Sequence, residues 1–260
     1  SAALRLGAAA LVCCTVTATV TSTSAAAAAP GPPTPHPAEV QLLAASALIM
    51  TGTAMPVVEQ EWIEMAIHDY IQPTLGDGYT GVPVQTPAQF WPFTGPDDLT
   101  FDLSVQGGTQ TIDTAILEQN GDANDAAPTV VFGYSQSAVI ATSAKRSLAE
   151  GTAAGADAPP VSFVMLANPN RPNGGINSRF TGAAMENLGW TFSAATPTDT
   201  PFMTVDVARQ YDLFADFPQY PLNPFATANA LLATLYGAHD YTGVTLDPTD
   251  PRYNPNTVVQ

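Results

Sequence analysis

The segment Thr129-Val130-Val131-Phe132-Gly133-Tyr134-Ser135-Gln136-Ser137 constrains the fold more than any other stretch of the chain. A run of β-branched and aromatic residues bounded by glycine reads as a buried strand. From Gln136 to about Leu148 the spacing changes, with Ala141, Ala144 and Leu148 on one helical face. No turn-forming stretch separates the two, so strand passes into helix almost directly at Ser135. A strand feeding straight into a helix is half of a βαβ unit, which calls for a mostly parallel sheet covered by helices.

The same alternation runs along the rest of the chain. Ala47-Leu48-Ile49-Met50 reads as a buried strand ending in Thr51-Gly52-Thr53, and Val57–Tyr70 carries Val58, Trp62, Met65, Ala66 and Tyr70 on one helical stripe. A short strand is expected at Val82–Val84, followed by a Pro- and aromatic-rich loop from Pro87 to Leu99. The spacing of Val105, Thr109, Ile112 and Ile116 predicts a helix over Phe101–Gln119. Further strands are expected at Val161–Leu166 and Phe202–Val207, and a last helix over Asn223–Tyr236. Asn168 to Pro201 is too long for a plain connection and reads as an excursion over the site.

Residues 1–29 read as an export signal or membrane anchor. Arg5 is their only charge, Leu6 to Val20 is largely apolar, and Ala25–Ala29 offers small residues for cleavage. Residues 30–40 form a Pro-rich linker, and 41–260 the folded domain. The protein is therefore expected to be secreted or held at the cell envelope. Both cysteines, Cys13 and Cys14, fall in the leader, so the remainder has no disulfide or thiolate metal site. The formal net charge is −16 with no basic cluster, which excludes nucleic acid as a partner. No metal cluster, nucleotide loop or flavin fingerprint is present, so no cofactor is expected.

Chemistry concentrates at Ser135. A serine on a sharp bend between buried strand and helix is held exposed at the helix N-terminus, the geometry of a nucleophile elbow. The usual pattern is Gly-x-Ser-x-Gly, and here Ser137 occupies the last place. The backbone N–H of Gln136, at the helix start, is positioned to stabilise a developing oxyanion. A second donor is expected from the loop after the first strand, with the Thr53 N–H as candidate; the plainer reading is a tight glycine turn at Gly52. The alternative for Ser135 itself is a helix cap at an ordinary strand–helix turn.

An elbow serine needs a base to take its proton and a carboxylate to orient that base. In the α/β-hydrolase type of fold the order along the chain is serine, acid, histidine. Of three histidines only His239 follows Ser135, whereas His68 comes too early and His36 lies in the linker. The acid is expected just past the strand ending at Val207. Asp212 fits best there, with Asp216 one helical turn further on as the alternative. Asp206 falls within the strand.

These residues, with several segments around them, resemble the PE-PPE domain of mycobacteria. The resemblance rests on the Gly133-x-Ser135-x-Ser137 elbow, Met55-Pro56 with Glu61-Trp62-Ile63, and Pro87-Ala88-Gln89-Phe90-Trp91-Pro92-Phe93-Thr94-Gly95. Asn168-Pro169-Asn170-Arg171-Pro172-Asn173-Gly174-Gly175, Tyr211-Asp212 through Asp216-Phe217-Pro218, and His239-x-Tyr241 complete it, over roughly Leu42 to Val244. It implies an α/β-hydrolase fold with a Ser-Asp-His triad related to that of cutinases and lipases. Members of the family resemble esterases of acyl chains or acyltransferases that assemble trehalose-based envelope lipids. The leader in place of a PE or PPE helical module resembles the envelope acyltransferase members more closely.

The expected function is a secreted serine acyl-transfer enzyme that takes a lipid acyl ester as donor and water or a sugar such as trehalose as acceptor, at the cell envelope or a membrane surface. Pro87–Leu99, Asn170–Pro201 and Pro218–Tyr236 are rich in large apolar residues and are expected to wall an acyl groove. The alternative is a non-catalytic envelope-binding module on a hydrolase scaffold.

Overall fold

The computed structural model describes residues 45–120 and 127–254. The expected export segment and linker, with Cys13, Cys14 and His36, lie outside the described residues. Five strands, β1 (Ala45–Ile49), β2 (Tyr79–Pro83), β3 (Thr129–Tyr134), β4 (Val161–Leu166) and β7 (Thr204–Val207), form one parallel sheet in the order β2-β1-β3-β4-β7. A separate antiparallel hairpin is made by β5 (Ala184–Met185) and β6 (Trp190–Thr191).

Alternate residues of the sheet face opposite layers. Ile49, Val130 and Phe132 pack with Trp62 and Tyr70 on one side, while Leu48, Val131 and Phe163 pack with Ile112 and Ile140 on the other. The first side is covered by α1 (Gln60–Met65), which continues through a π-helical stretch at Ala66–Ile71 into α2 (Gln72–Leu75). Trp62 anchors it, donating its indole N–H to Met50 O at 3.1 Å. The second side is covered by α3 (Phe101–Gln119) and α4 (Gln136–Ala153). These two helices meet closely: a Cβ on Gly108 would fall 2.2 Å from Ile140 Cδ1. Among the described residues the remaining α-helices are α5 (Ile176–Arg179) and α6 (Pro224–Leu235).

β1 begins two residues earlier than expected, α4 runs on to Ala153 and β7 starts at Thr204, and the first helix and the edge strand depart further. The helix expected over Val57–Tyr70 runs instead from Gln60 to Leu75, because nothing breaks it before Gly76, whose φ of 92° ends it. Pro73 has no N–H to return, and the Asp69 carbonyl one turn earlier accepts the Leu246 N–H at 2.8 Å. The strand expected at Val82–Val84 is β2, displaced toward Tyr79. As an edge strand it is only partly covered, so its apolar pattern is weak. Gly81 lets α1 cross it: a Cβ there would meet Ile63 Cγ2 at 2.3 Å.

Candidate active site

Ser135 is the one residue between β3 and α4, with φ 57° and ψ −114°. That positive φ is strained for a residue with a side chain, and the surroundings enforce it. Gly133 lets strand and helix pass: a Cβ there would sit 2.6 Å from Ser137 O. Ser137, buried in the place usually held by glycine, closes the bend with its hydroxyl. Its Oγ accepts the Tyr134 N–H at 2.8 Å and lies 3.1 Å from Tyr134 O. The elbow is also tied sideways into the sheet, since Ser135 N–H donates to Leu166 O at 3.0 Å.

His239 and Asp212 meet this serine from loops beyond β7. Ser135 Oγ lies 2.9 Å from His239 Nε2, and His239 Nδ1 lies 3.0 Å from each carboxylate oxygen of Asp212. Asp212 is fully buried, and further donors satisfy it: Phe214 N–H at 2.9 Å on Oδ1 and the Tyr241 hydroxyl at 2.9 Å on Oδ2. The carboxylate is fixed in place, so Nδ1 of His239 holds its proton and Nε2 faces Ser135 as acceptor. The imidazole itself lies between rings, with Phe214 at 4.7 Å and Tyr134 at 5.4 Å between centroids.

Asp216 does not reach His239. It accepts the Tyr211 N–H at 2.9 Å and pairs with Arg171 Nη1 at 3.6 Å, which ties down the loop that carries Asp212. His68 is exposed on the far helix and bonds Gln72 Oε1 at 2.8 Å. Asp206 is buried within β7, as its position implied, where it accepts from Asn168 Nδ2 at 2.7 Å.

Both proposed oxyanion donors lie beside Ser135. Gln136 is the first residue of α4, so its N–H has no intrahelical acceptor. Its side chain is fastened elsewhere, donating to Gln89 O at 2.8 Å and accepting from Ser104 Oγ at 3.2 Å. The loop after β1 backs onto the elbow: a Cβ on Gly52 would lie 2.8 Å from the Tyr134 ring and 3.4 Å from Ser135 Cβ. Within that loop Ala54 N–H donates to Ala88 O and Met55 N–H to Gly52 O, whereas the Thr53 N–H takes no acceptor among the described residues.

Ser135, His239 and Thr53 open onto a cavity of about 550 Å³ whose walls are mainly apolar. The Pro87–Leu99 loop supplies Phe90 and Phe93, and the excursion after β4 supplies Met185, Leu188 and Trp190. A chain of buried asparagines holds that excursion: Asn168 bonds Thr196 at 3.0 Å, Asn177 bonds Asn170 at 3.1 Å, and the Trp190 indole donates to Asn177 at 3.1 Å. The third segment expected to wall the groove, Pro218–Tyr236, contributes nothing to it. Its large apolar side chains point to solvent instead.

Three residues of the site escaped the sequence reading. Tyr241 bridges Asp212 Oδ2 and the Arg209 N–H, which donates to its oxygen at 2.8 Å. Burial first, and then the adjacent Asp212 carboxylate, push its phenol well above the ordinary value, so it remains a donor. Arg209 donates Nη1 to Gly237 O at 2.6 Å and also to Asp240 O, gripping the loop on either side of His239. Tyr134 donates to His239 O at 2.5 Å. The His239-x-Tyr241 spacing was the available signal for the first; nothing marked the other two.

A parallel sheet that delivers a strained serine at the end of its central strand, with Asp212 and His239 beyond its last strand, is the α/β-hydrolase architecture. The PE-PPE domain family matches residues 77–259. The chain belongs to that family. It is 45% identical over 202 residues to Esterase PE16 of Mycobacterium tuberculosis, a match spanning 77% of this chain and 37% of that protein. It is 30% identical to SL1278 acyltransferase Chp1 of the same organism, over 76% of this chain and 48% of the relative. The chain thus spans less than half the length of either. Among solved structures, a cutinase-like protein from Cryptococcus sp. is similar over 77% of this chain and 96% of its own, at 16% identity and a TM-score of 0.43.

Proposed function

We propose that the protein is a serine acyl-transfer enzyme that acts on lipid acyl esters outside the cytoplasm, at the cell envelope. It works as an esterase or as an acyltransferase that passes the acyl group to a sugar hydroxyl such as that of trehalose. The observation that carries this reading is the continuous line Ser135 Oγ–His239–Asp212, at 2.9 and 3.0 Å, opening onto an apolar cavity. Relatives named as an esterase and as an acyltransferase support two outcomes of one mechanism.

As Ser135 Oγ attacks the ester carbonyl carbon, its proton passes to His239 Nε2. The carbonyl π pair moves onto oxygen, where the Gln136 and Thr53 N–H groups stabilise it. Asp212 offsets the charge on the imidazolium without taking its proton. When the carbonyl re-forms, the bond to the alcohol oxygen breaks and the alcohol departs with the proton from His239. The acyl group remains on Ser135 until water or a sugar hydroxyl, deprotonated by His239, reverses these steps. Exclusion of water from the apolar cavity favours transfer over hydrolysis.

A fluorophosphonate probe tests the nucleophile. Labelling is expected on the wild type and absent from Ser135→Ala, whose kcat should fall by about 10⁶. A variant that keeps its labelling sinks the assignment, and a wild type that takes no label points to a non-catalytic binding module. Free acid against acyl-sugar, measured with a lipid donor and trehalose, distinguishes the two acceptors.

A further inference from the structure

We propose that α6 and the turn before it dock the protein on an uncharged or zwitterionic lipid surface. From Phe217 to Ala238 the chain has no Asp, Glu, Lys, Arg or His, in a protein of net charge −16. Phe225, Leu232, Leu235 and Tyr236 recur at helical spacing on one side of α6, and Ala230 lies opposite. A helix of a soluble domain normally turns its large apolar side chains inward. Here the small Ala230 faces the protein at 1% exposure, while Phe225, Leu235 and Tyr236 are 85%, 81% and 88% exposed. Leu222, in the preceding turn, is 97% exposed. A contiguous apolar patch of this kind marks a surface built to meet something.

The chemistry selects lipid as the occupant. Protein interfaces are enriched in arginine, and this stretch has neither arginine nor any other charged side chain. A second copy of the chain would bring together two molecules that each carry −16. The same charge opposes an anionic leaflet, which leaves a neutral or zwitterionic surface. Tyr220 and Tyr236, exposed at the two ends of the patch, have the ring-plus-hydroxyl character suited to a headgroup boundary. At 12 residues α6 is too short to cross a bilayer, so it lies along the surface.

Position links this patch to the cavity. The segment joins the Asp212 loop to the His239 loop, and Thr234 Oγ1 accepts the N–H of Leu213, which lines the cavity, at 3.3 Å. Docking along α6 therefore brings the cavity wall to the lipid. The inference deepens the acyl-transfer reading and rests on it for its purpose, not for its observations.

Flotation of the Ser135→Ala protein from residue 30 onward, so that the apolar leader contributes nothing, with phosphatidylcholine vesicles reads docking without turnover. Binding is expected, nearly unchanged in about 0.5 M salt because no ion pairs contribute. The added changes Leu222→Ser, Phe225→Ser and Leu235→Ser should weaken it at least about 30-fold. On the Ser135 background the same three changes should leave turnover of a water-soluble short-chain ester within about twofold and lower turnover of an ester embedded in vesicles at least about tenfold. Equal flotation with and without the three changes overturns the proposal. So does failure to float at all, or a dimer that the three changes split. Flotation lost in the triple variant, from a wild type that cleaves no ester, refutes the acyl-transfer reading and leaves docking standing.

Discussion

The Tyr241 hydroxyl donates to Asp212 Oδ2 at 2.9 Å while its oxygen accepts the Arg209 N–H at 2.8 Å. The Asp212 carboxylate is thus held by a side chain two residues past His239, and that side chain is fully buried. Tyr70 fixes it in turn, donating to Tyr241 O at 2.6 Å.

Tyr241→Phe should therefore lower kcat with little change in KM. Loss of one donor leaves Asp212 the N–H groups of Phe214 at 2.9 Å and Ala215 at 3.4 Å, so the fall is expected to be about tenfold. The Arg209 N–H loses its acceptor as well, at a cost of about 1–2 kcal/mol in unfolding free energy. Steady-state kinetics with a soluble ester and a urea titration measure the two effects. An unchanged kcat would remove Tyr241 from any positioning role.

Asp212→Asn and Asp216→Asn should separate by orders of magnitude. Asn at 212 can present its amide to His239 and favour the wrong tautomer, so kcat should drop by about 10⁴. Asp216 touches Tyr211 and Arg171 but not His239, and its replacement should stay within about tenfold in activity. Should the order reverse, the acid has been misassigned.

Ser137 offers a test of the elbow itself. Ser137→Ala leaves the Tyr134 N–H without its partner at 2.8 Å and should cost about 1–3 kcal/mol. Ser137→Gly, which restores the more usual motif, should cost about 1 kcal/mol more because glycine loosens the first turn of α4. Denaturant midpoints rank the pair, and a glycine variant as stable as the wild type would show that the hydroxyl does not hold the bend.

Asp206 makes stability depend on pH. Burial pushes its carboxyl up to about 7, against opposing pulls from Asn168, Arg171 and Lys145. Its folded value lies above the unfolded one, so the folded state binds the extra proton between them and stability falls as pH rises from about 4 to about 7. The fall is expected to be on the order of 4 kcal/mol. Asp206→Asn should flatten the profile in urea titrations across that range, and a slope unaltered by the change would assign it to other groups.

Strongly periodic segments were legible from the chain alone. Phe101–Gln119 and Val161–Leu166 occupy the bounds expected of them, because each carries one unambiguous apolar spacing. The nearness of Ser135 to His239 followed from order and elimination, since only one histidine lies downstream. Asp212 and Asp216 were harder to separate: four residues apart, they sit on one turn, where the Asp216 N–H donates to Asp212 O at 2.7 Å. Which carboxylate faces inward depends on the turn's rotation, and composition does not record that. The same blindness explains Pro218–Tyr236, whose apolar content was plain and whose outward orientation was not. The asparagine chain from Asn168 to Asn177 and the grip of Arg209 are pairings in space with no periodic trace.

Arg209 and Tyr241 stitch the Asp212 loop to the His239 loop at the base of both. The stretch between them is therefore a detour whose two ends are pinned whatever its length. Asp212 and His239 form a cassette that travels together, and the intervening helix can be lengthened, recoloured or exchanged with their pairing left undisturbed.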